Sequence, residues 1–394
     1  MTETPNHHER AAGGLVVPMT SRDPHEQHRA ATPLELLYDL CFVVAIAQAA
    51  AGLHHAIAHG QGFGPVLSFG LVFFAIWWAW MGFAWFASAF DTDDVVYRLK
   101  VLVQMVGVLV LAAGVPRAFE HTDYRLITAG YVIMRLGLVA QWLRAAKASP
   151  EYRTTALRYA IGIVMCQVGW VLLLLLPHDQ WMYGWLVCAP LELCVPAWAE
   201  RAKPTSWHPH HIVERYGLLT IIVIGESVLA ATMAIEQALD AHGISASLWV
   251  VIVSAPVIIF SMWWLYFARP QHTILTTSRR AFLWGYSHYF VFASAVAVGA
   301  GIGVSVDDAT HHTEHLSGLW AGYAVSIPVA VYLLSLWFAQ SRCMPLKHVV
   351  SVAYFGAIAL VLLAPFTSIS VAIVAGTLAA LTMAVVVVYH NAVE

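Results

Sequence analysis

Long apolar stretches recur along almost the whole chain, and short polar loops separate them. A helix needs about 20 apolar residues to cross the hydrocarbon core of a bilayer, and twelve stretches reach that length. The pattern predicts an all-α, polytopic integral membrane protein with about 12 transmembrane helices. The predicted spans lie near residues 34–55, 65–89, 97–117, 122–144, 152–176, 180–200, 212–236, 247–268, 280–304, 313–338, 345–364 and 366–389.

Composition and charge agree with this class and add an orientation. Of the 394 residues, 60% are hydrophobic and 11% are charged, far from the balance of a soluble domain. All of the 20 Lys and Arg residues except Arg117, Arg125 and Arg135 fall on one side of the predicted spans. The positive-inside rule makes that side the cytoplasm, so both termini are predicted to be cytoplasmic. The net charge of −3, without a clustered basic face, argues against a nucleic-acid partner.

Polar segments divide the chain into four predicted parts. Residues 1–33 form a His-rich tail without an apolar core, which we expect to be cytoplasmic and disordered. Residues 34–200 form a first six-helix membrane half, 201–211 a cytoplasmic linker, and 212–390 a second six-helix half.

The two halves are weakly similar to one another. The Trp-rich segment around Trp78 in the second span recurs around Trp264 in the eighth, 186 residues later. The small residues around Gly114 recur around Gly301, 187 residues later. Because six spans is an even number, the halves share an orientation, and the pattern predicts a 6+6 parallel internal repeat of the kind known in secondary transporters.

Several ionisable residues lie inside or at the ends of the spans, where burial is costly unless a partner compensates it. At a rise of about 1.5 Å per residue, four of them share a depth of about 9–14 Å from the cytoplasmic surface, and one lies about 22 Å deep. We predict that this set binds a substrate or protons. The four are Asp39, Arg135, Glu192 and His288, the deep one is Glu226, and the remaining members are Glu35, Glu214 and Arg215.

Within this set, Glu35 and Asp39 share one helix face because they are four residues apart. Two carboxylates held that close favour retention of a proton. Arg135 keeps its charge and needs a counter-ion, for which the depths favour Asp39, then Glu192, with Glu226 a further candidate.

A purely structural interpretation of the same residues stays open. Arg135 would then be a static brace between helices, Glu35 and Glu214 would cap helix N-termini, and Arg215 would reach the lipid headgroups by snorkelling.

The histidines form two groups, one on each predicted side. The cytoplasmic group is His208, His210 and His211, and the outer group is His54, His55, His59 and residues 307–315. His311 and His315 would share a helix face with metal-ligand spacing, but solvated loop histidines are commoner, so no metal site is predicted. No nucleotide, haem or nucleophile motif occurs, so neither a cofactor nor a catalytic residue is predicted.

Three ordered motifs resemble one known family. They are Glu35 to Gln48 (ELLYDLCFVVAIAQ), Trp78 to Phe83 (WAWMGF) with Asp91 to Asp94 (DTDD) downstream, and Glu214 to Ser227 (ERYGLLTIIVIGES). The chain is similar over nearly its whole length to the bacterial low temperature requirement protein A family. The resemblance implies a polytopic inner-membrane protein and leaves the mechanism to be argued from the residues.

Three functions from different classes fit these observations. The one favoured is a proton-coupled secondary transporter or permease for a small solute or ion, because the chain combines twelve spans, two halves and an acid-base slab. A non-catalytic membrane sensor or scaffold for cold or envelope stress is the second, and a membrane-embedded enzyme the third. The sequence identifies neither a substrate nor an oligomeric state.

Overall fold

The protein is described here by a computed structural model. The structure describes residues 15–24, 26, 29–242, 245–269, 271–310, 317–341 and 347–393. Its twelve long helices are α1 (Pro33–Ala58), α2 (Gly64–Phe90), α3 (Val95–His121), α4 (Arg125–Ala148), α5 (Arg153–Leu173), α6 (His178–Ala199), α7 (Pro209–His242), α8 (Ala246–Phe267), α9 (Ser278–Ala309), α10 (Gly318–Gln340), α11 (Lys347–Leu363) and α12 (Ser370–Val393). Short 3₁₀ turns at Pro150–Tyr152, His272–Ile274 and Ala364–Phe366 accompany them.

The predicted fold class is confirmed. The described part of the chain has no strand, and twelve of its helical segments are long and apolar enough to cross a membrane. The largest difference from the predicted spans is α7, which has 34 residues where the sequence predicted residues 212–236. Hydropathy underestimates this helix because its ends are polar, with His210 and His211 at one end and Asp240 at the other.

The described residues divide into two compact units. The first unit comprises residues up to 45 and 75–215, and the second comprises 46–74 and 216–394. The division falls within α1, α2 and α7.

Local sequence signals explain where α1 and α3 begin. Thr32 and Glu35 form a reciprocal cap, in which the Thr32 N–H donates to Glu35 Oε2 at 2.8 Å and the Glu35 N–H donates to Thr32 Oγ1 at 3.3 Å. Pro33 is the first helical residue, where its missing N–H costs nothing. Asp94 caps α3 by accepting from the Tyr97 N–H at 2.8 Å.

A hairpin of closely packed helices occurs in each unit. In the first unit α3 and α4 approach so closely that a Cβ on Gly107 would lie 2.7 Å from the Gly130 carbonyl oxygen. In the second unit α9 and α10 meet at Gly301, where a Cβ would collide with the Ala324 carbonyl. Small residues let helix backbones approach in this way inside a membrane.

The N-terminal segment makes long-range contacts through its described residues 15–24, 26 and 29–32. Met19 is fully buried, and its carbonyl accepts from Ser149 Oγ at 2.8 Å. The Val17 N–H donates to Asp94 Oδ2 at 2.7 Å. These long-range contacts, which composition alone does not reveal, hold the segment against the first unit. Residues 1–14, 25, 27 and 28 of the predicted tail lie outside the described residues.

Candidate functional site

A buried charge cluster in the first unit joins the start of α1 to the start of α7. The Arg215 Nη1 donates to Glu35 Oε1 at 2.8 Å, its Nε donates to Asp39 Oδ2 at 3.2 Å, and its Nη2 also pairs with Asp39. All three side chains are shielded from solvent almost completely. A guanidinium suits this task because its rigid fork serves two carboxylates at once.

Two further side chains complete this cluster. The Trp80 indole N–H of α2 donates to Asp39 Oδ1 at 2.7 Å. His211, one turn before Arg215, places its Nε2 3.1 Å from Glu35 Oε1, while its buried Nδ1 has no hydrogen-bond partner among the described residues. We call Glu35, Asp39, Trp80, His211 and Arg215 the α1–α7 cluster.

The α1–α7 cluster corrects one interpretation of the sequence and refines another. Arg215 does not reach toward headgroups: its side chain is 0% exposed because two carboxylates hold it inside. Glu35 does cap α1, as the structural interpretation had it, but it also pairs with Arg215. Glu214 is only half-buried, and among the described residues it has no ion pair in this cluster.

A second buried ion pair in the first unit joins α4 to α6. Arg135 Nη2 lies 3.1 Å from Glu192 Oε1. Tyr131, one turn before Arg135, bridges the two by accepting from Arg135 at 2.7 Å and donating to Glu192 at 2.7 Å. The Trp170 indole donates to the other Glu192 oxygen at 2.6 Å. Every oxygen of this carboxylate therefore has a donor.

This geometry corrects the counter-ion expected for Arg135. The sequence favoured Asp39 and placed Glu192 second. In the structure Asp39 pairs with Arg215 and accepts from Trp80. Glu192 is the partner of Arg135. Depth along a helix gave the two acids similar chances, and it carries no information about which helices are neighbours. A Cβ on Gly82 would lie 2.6 Å from Arg135 Nη1, so the absence of a side chain there makes room for the guanidinium.

Glu226 of the second unit has a different environment. It lies near the middle of α7 and is 7% exposed. Its Oε2 is buried and has no hydrogen-bond partner among the described residues. Ser227, the next residue, donates to the Ala295 carbonyl at 3.1 Å, and a Cβ on Gly299 would lie 2.8 Å from Ser227 Oγ. The helix that carries Glu226 is therefore in tight contact with α9.

His288 of α9 is fully buried in the second unit and has a partner at each ring nitrogen. Its Nδ1 lies 2.8 Å from the Trp284 carbonyl, and its Nε2 lies 3.1 Å from the Tyr266 hydroxyl. Aromatic rings of Tyr216, Trp284 and Phe292 surround the imidazole. The first contact makes Nδ1 the donor, so Nε2 accepts from the tyrosine.

His54, His55 and His59, which were predicted to lie on the outer side, have polar partners in the described part of the second unit. His54 Nε2 lies 2.7 Å from Asp307 Oδ2, and His55 and His59 approach to 2.9 Å between their Nδ1 atoms. Within the described ranges no group of three or more His, Cys, Asp or Glu side chains is arranged so that it could hold a metal ion. The His311 and His315 pair of the sequence analysis lies outside the described residues.

Two acids between α2 and α3 in the first unit titrate differently because their partners differ. Burial raises the pKa of Asp91 to about 7; nearby Glu35 adds to this effect, and Arg29 and Arg22 oppose it. Burial would also raise the pKa of Asp94, but hydrogen bonds from Arg144 and from the Val17 and Tyr97 N–H groups outweigh it and lower that pKa.

Sequence reasoning missed several participants in these groups. Trp80, Tyr131 and Trp170 are polar partners of buried carboxylates, yet they stand in aromatic-rich helices where packing is the usual explanation. The spacing of four between Tyr131 and Arg135 was the one available signal. For Asp91 the sequence offered only its place in the Asp91 to Asp94 motif.

Twelve apolar helices with ionisable side chains paired inside them define a polytopic membrane protein whose spans contain charge. The chain belongs to the family described as bacterial low temperature requirement A protein (LtrA), which it matches over residues 30–388. It is also 24% identical to Uncharacterized protein RA0937 of Rhizobium meliloti (strain 1021), over 83% of this chain and 82% of the relative. No solved structure matches it significantly.

Proposed function

We propose that this protein is a proton-coupled secondary transporter of the bacterial inner membrane that moves a small solute or ion. The observation that carries the proposal is Glu226, a carboxyl group near the middle of a membrane-spanning helix with an oxygen that lacks a partner among the described residues. Family membership supports the membrane location.

An ionised Glu226 would be costly inside the membrane. An ionised carboxylate near the centre of a bilayer costs several kcal/mol by the insertion scales, and such residues mark ion or proton pathways. Because Glu226 has no ion pair among the described residues, its carboxyl group lowers this cost by taking up a proton. A group that binds a proton inside the membrane and releases it when water reaches it has the property that proton coupling requires.

The Arg135 and Glu192 pair and the α1–α7 cluster differ from Glu226 because their carboxylates have ion-pair partners. Glu192 already accepts hydrogen bonds from Tyr131 and Trp170 and forms an ion pair with Arg135. In the α1–α7 cluster two carboxylates share one guanidinium and one histidine, which leaves an excess of acceptors. We therefore assign Glu226 the coupling role, Arg135 and Glu192 a supporting role, and the α1–α7 cluster a role in binding substrate or protons.

The test is transport by the purified full chain in liposomes with an internal pH dye and an imposed pH gradient. Monovalent cations, amino acids and organic acids are added one at a time, and we expect one of these classes to collapse the gradient. Glu226→Gln should abolish the collapse. Glu236→Gln, an exposed carboxylate of the same helix, is the matched control and should retain it.

A non-catalytic sensor or scaffold is the second candidate, favoured by the buried ion pair of Arg135 and Glu192, which resembles a brace. That function predicts that no solute collapses the gradient. The transport proposal is wrong in that case, and equally if Glu226→Gln transports like the wild type.

A further inference from the structure

The N-terminal segment of the first unit, defined here as residues 15–24, 26 and 29–32, lies against the end of α2. The Arg22 N–H donates to the Ala89 carbonyl at 2.9 Å, and Arg29 Nη2 donates to the Ala87 carbonyl at 2.9 Å. His208 Nε2 lies 2.9 Å from the carbonyl oxygen of Glu26. The segment is thus attached at both of its arginines and between them.

Asp91 lies beneath this segment, and the neighbouring arginines compensate its charge poorly. Its side chain is 1% exposed, and its Oδ2 has no hydrogen-bond partner among the described residues. Arg22 Nη1 and Arg29 Nη2 lie 3.7 and 3.9 Å from that oxygen, beyond hydrogen-bond distance. Its other oxygen accepts from the Asp93 N–H at 3.1 Å.

The two arginines compensate the negative charge of Asp91 only in part. Arg22 also pairs with Glu26. Arg29 has a buried Nε and a buried Nη1 without hydrogen-bond partners in the described part of the chain. Burial, followed by the charge of Arg22, lowers the pKa of Arg29. A buried carboxylate with long, shared ion pairs receives little compensation for the water that it has lost.

We propose that Asp91 is a proton-binding site that controls closure of the N-terminal segment: a proton on Asp91 stabilises the closed segment, and ionised Asp91 favours its release. The proposal concerns the first unit alone and does not rest on the proposed transport.

The direction of the pH dependence follows from the linkage between proton binding by Asp91 and closure of the segment. In the closed segment burial raises the pKa of Asp91 to about 7, whereas an open, solvated aspartate has a pKa near 3.9. The closed form therefore binds the proton more tightly, and acid favours closure. The equilibrium constant for closure should be constant above pH about 7 and rise about tenfold for each unit from 7 toward 4.

Charged groups from several elements surround Asp91. Arg22 and Arg29 come from the segment, Glu35 from α1, and Asp93 from the same loop as Asp91. Tyr97 of α3 is also near, with a buried hydroxyl that lacks a hydrogen-bond partner among the described residues. Glu35 raises the affinity of Asp91 for a proton, and the two arginines lower it.

Closure of this segment bears directly on the α1–α7 cluster. Thr32, the last residue of the segment, donates its N–H to the Glu35 carboxylate, which is also a partner of Arg215. Release of the segment would remove this donor and expose Glu35 to water. Protonation of Asp91 would thereby control access to the cluster.

The experiment is hydrogen-exchange mass spectrometry of the purified full chain in detergent between pH 5 and 8.5, with protection factors corrected for the intrinsic rate. For peptides within residues 15–24 of the wild type, we expect constant protection above pH about 7 and about 100-fold more protection at pH 5. Asp91→Asn, which resembles the protonated acid, should give high protection at every pH. Glu120→Gln is the control, since this exposed carboxylate lies at the opposite end of α3 from Asp91, and it should keep the wild-type profile.

Arg22→Gln provides a second test if Asp91→Asn does not fold. Loss of this positive charge raises the affinity of Asp91 for a proton, so the rise in protection should begin at a higher pH than in the wild type. The proposal is overturned if the wild type shows no pH dependence, if Asp91→Asn keeps the wild-type profile, or if Arg22→Gln does not move the onset upward.

Discussion

Arg215 donates from two guanidinium nitrogens to the carboxylate of Asp39, which lies 176 residues earlier in the chain. The same guanidinium serves Glu35, so one cation holds two acids inside the first unit. Contacts to both acids at once require a planar group with several donors.

Arg215→Lys should destabilise the protein although it keeps the charge. A lysine ammonium is a single point donor and cannot reproduce the fork that reaches Glu35 and both oxygens of Asp39. Loss of charge-assisted hydrogen bonds worth roughly 1.5–3 kcal/mol each should lower the thermal unfolding temperature in detergent. Arg201→Lys, at an exposed position, is the control. Equal unfolding temperatures for the two variants would contradict the bridging role.

Arg135 and Glu192 should behave as a coupled pair in a double-mutant cycle. Arg135→Leu or Glu192→Leu alone strands a buried charge and should cost about 3–5 kcal/mol, whereas the double variant should recover much of that loss. The comparison is Arg135→Leu with Asp39→Leu, whose effects should add because Asp39 has other partners. Recovery in this second pair instead of the first would show that the partner assignment is wrong.

Gly107→Ala should disrupt the hairpin of α3 and α4. A Cβ there would lie 2.7 Å from the Gly130 carbonyl oxygen and 2.8 Å from the Met134 amide nitrogen, and backbone atoms cannot move aside cheaply. Overpacking of this kind costs about 1–3 kcal/mol, which thermal unfolding should detect. Gly376→Ala is the matched control, because nothing lies within 4 Å of its new methyl group. A loss as large in the control would rule out close packing as the cause.

Asp94 should contribute to stability at neutral pH and lose that contribution in acid. Its pKa is lowered in the folded protein, so the contribution is present above the ordinary value near 3.9 and is lost as the pH falls through the folded value. Unfolding temperatures measured from pH 6 to pH 3 should fall less steeply for Asp94→Asn than for the wild type. Parallel curves would mean that Asp94 does not participate in acid unfolding.

The orientation inferred from the positive charges is a separate prediction. A reporter that is active only in the cytoplasm should be active when fused after Glu394 and silent when fused at Asp308, because the predicted spans place these points on opposite sides. Activity at Asp308 would invert or break the predicted topology.

The number of helices could be predicted from the sequence because crossing a bilayer is a local requirement. About 20 consecutive apolar residues satisfy it regardless of the rest of the chain, and the twelve predicted spans correspond to α1–α12. The start of α1 was equally local, since Thr32, Pro33 and Glu35 form a cap within four residues. The family resemblance likewise rested on contiguous motifs.

The partners of the buried charges were decided only by the tertiary structure. Position along a span gives the depth of a side chain, but it gives neither the direction in which the side chain points nor the helix that it faces. Asp39 and Glu192 had similar depths, yet α7 supplies Arg215 to Asp39, and α6 supplies Glu192 to Arg135. The burial of Asp91 beneath Arg22 and Arg29 also depends on how a polar segment folds back onto distant residues. Hydropathy follows from the residues one by one, whereas charge pairing depends on which helices become neighbours.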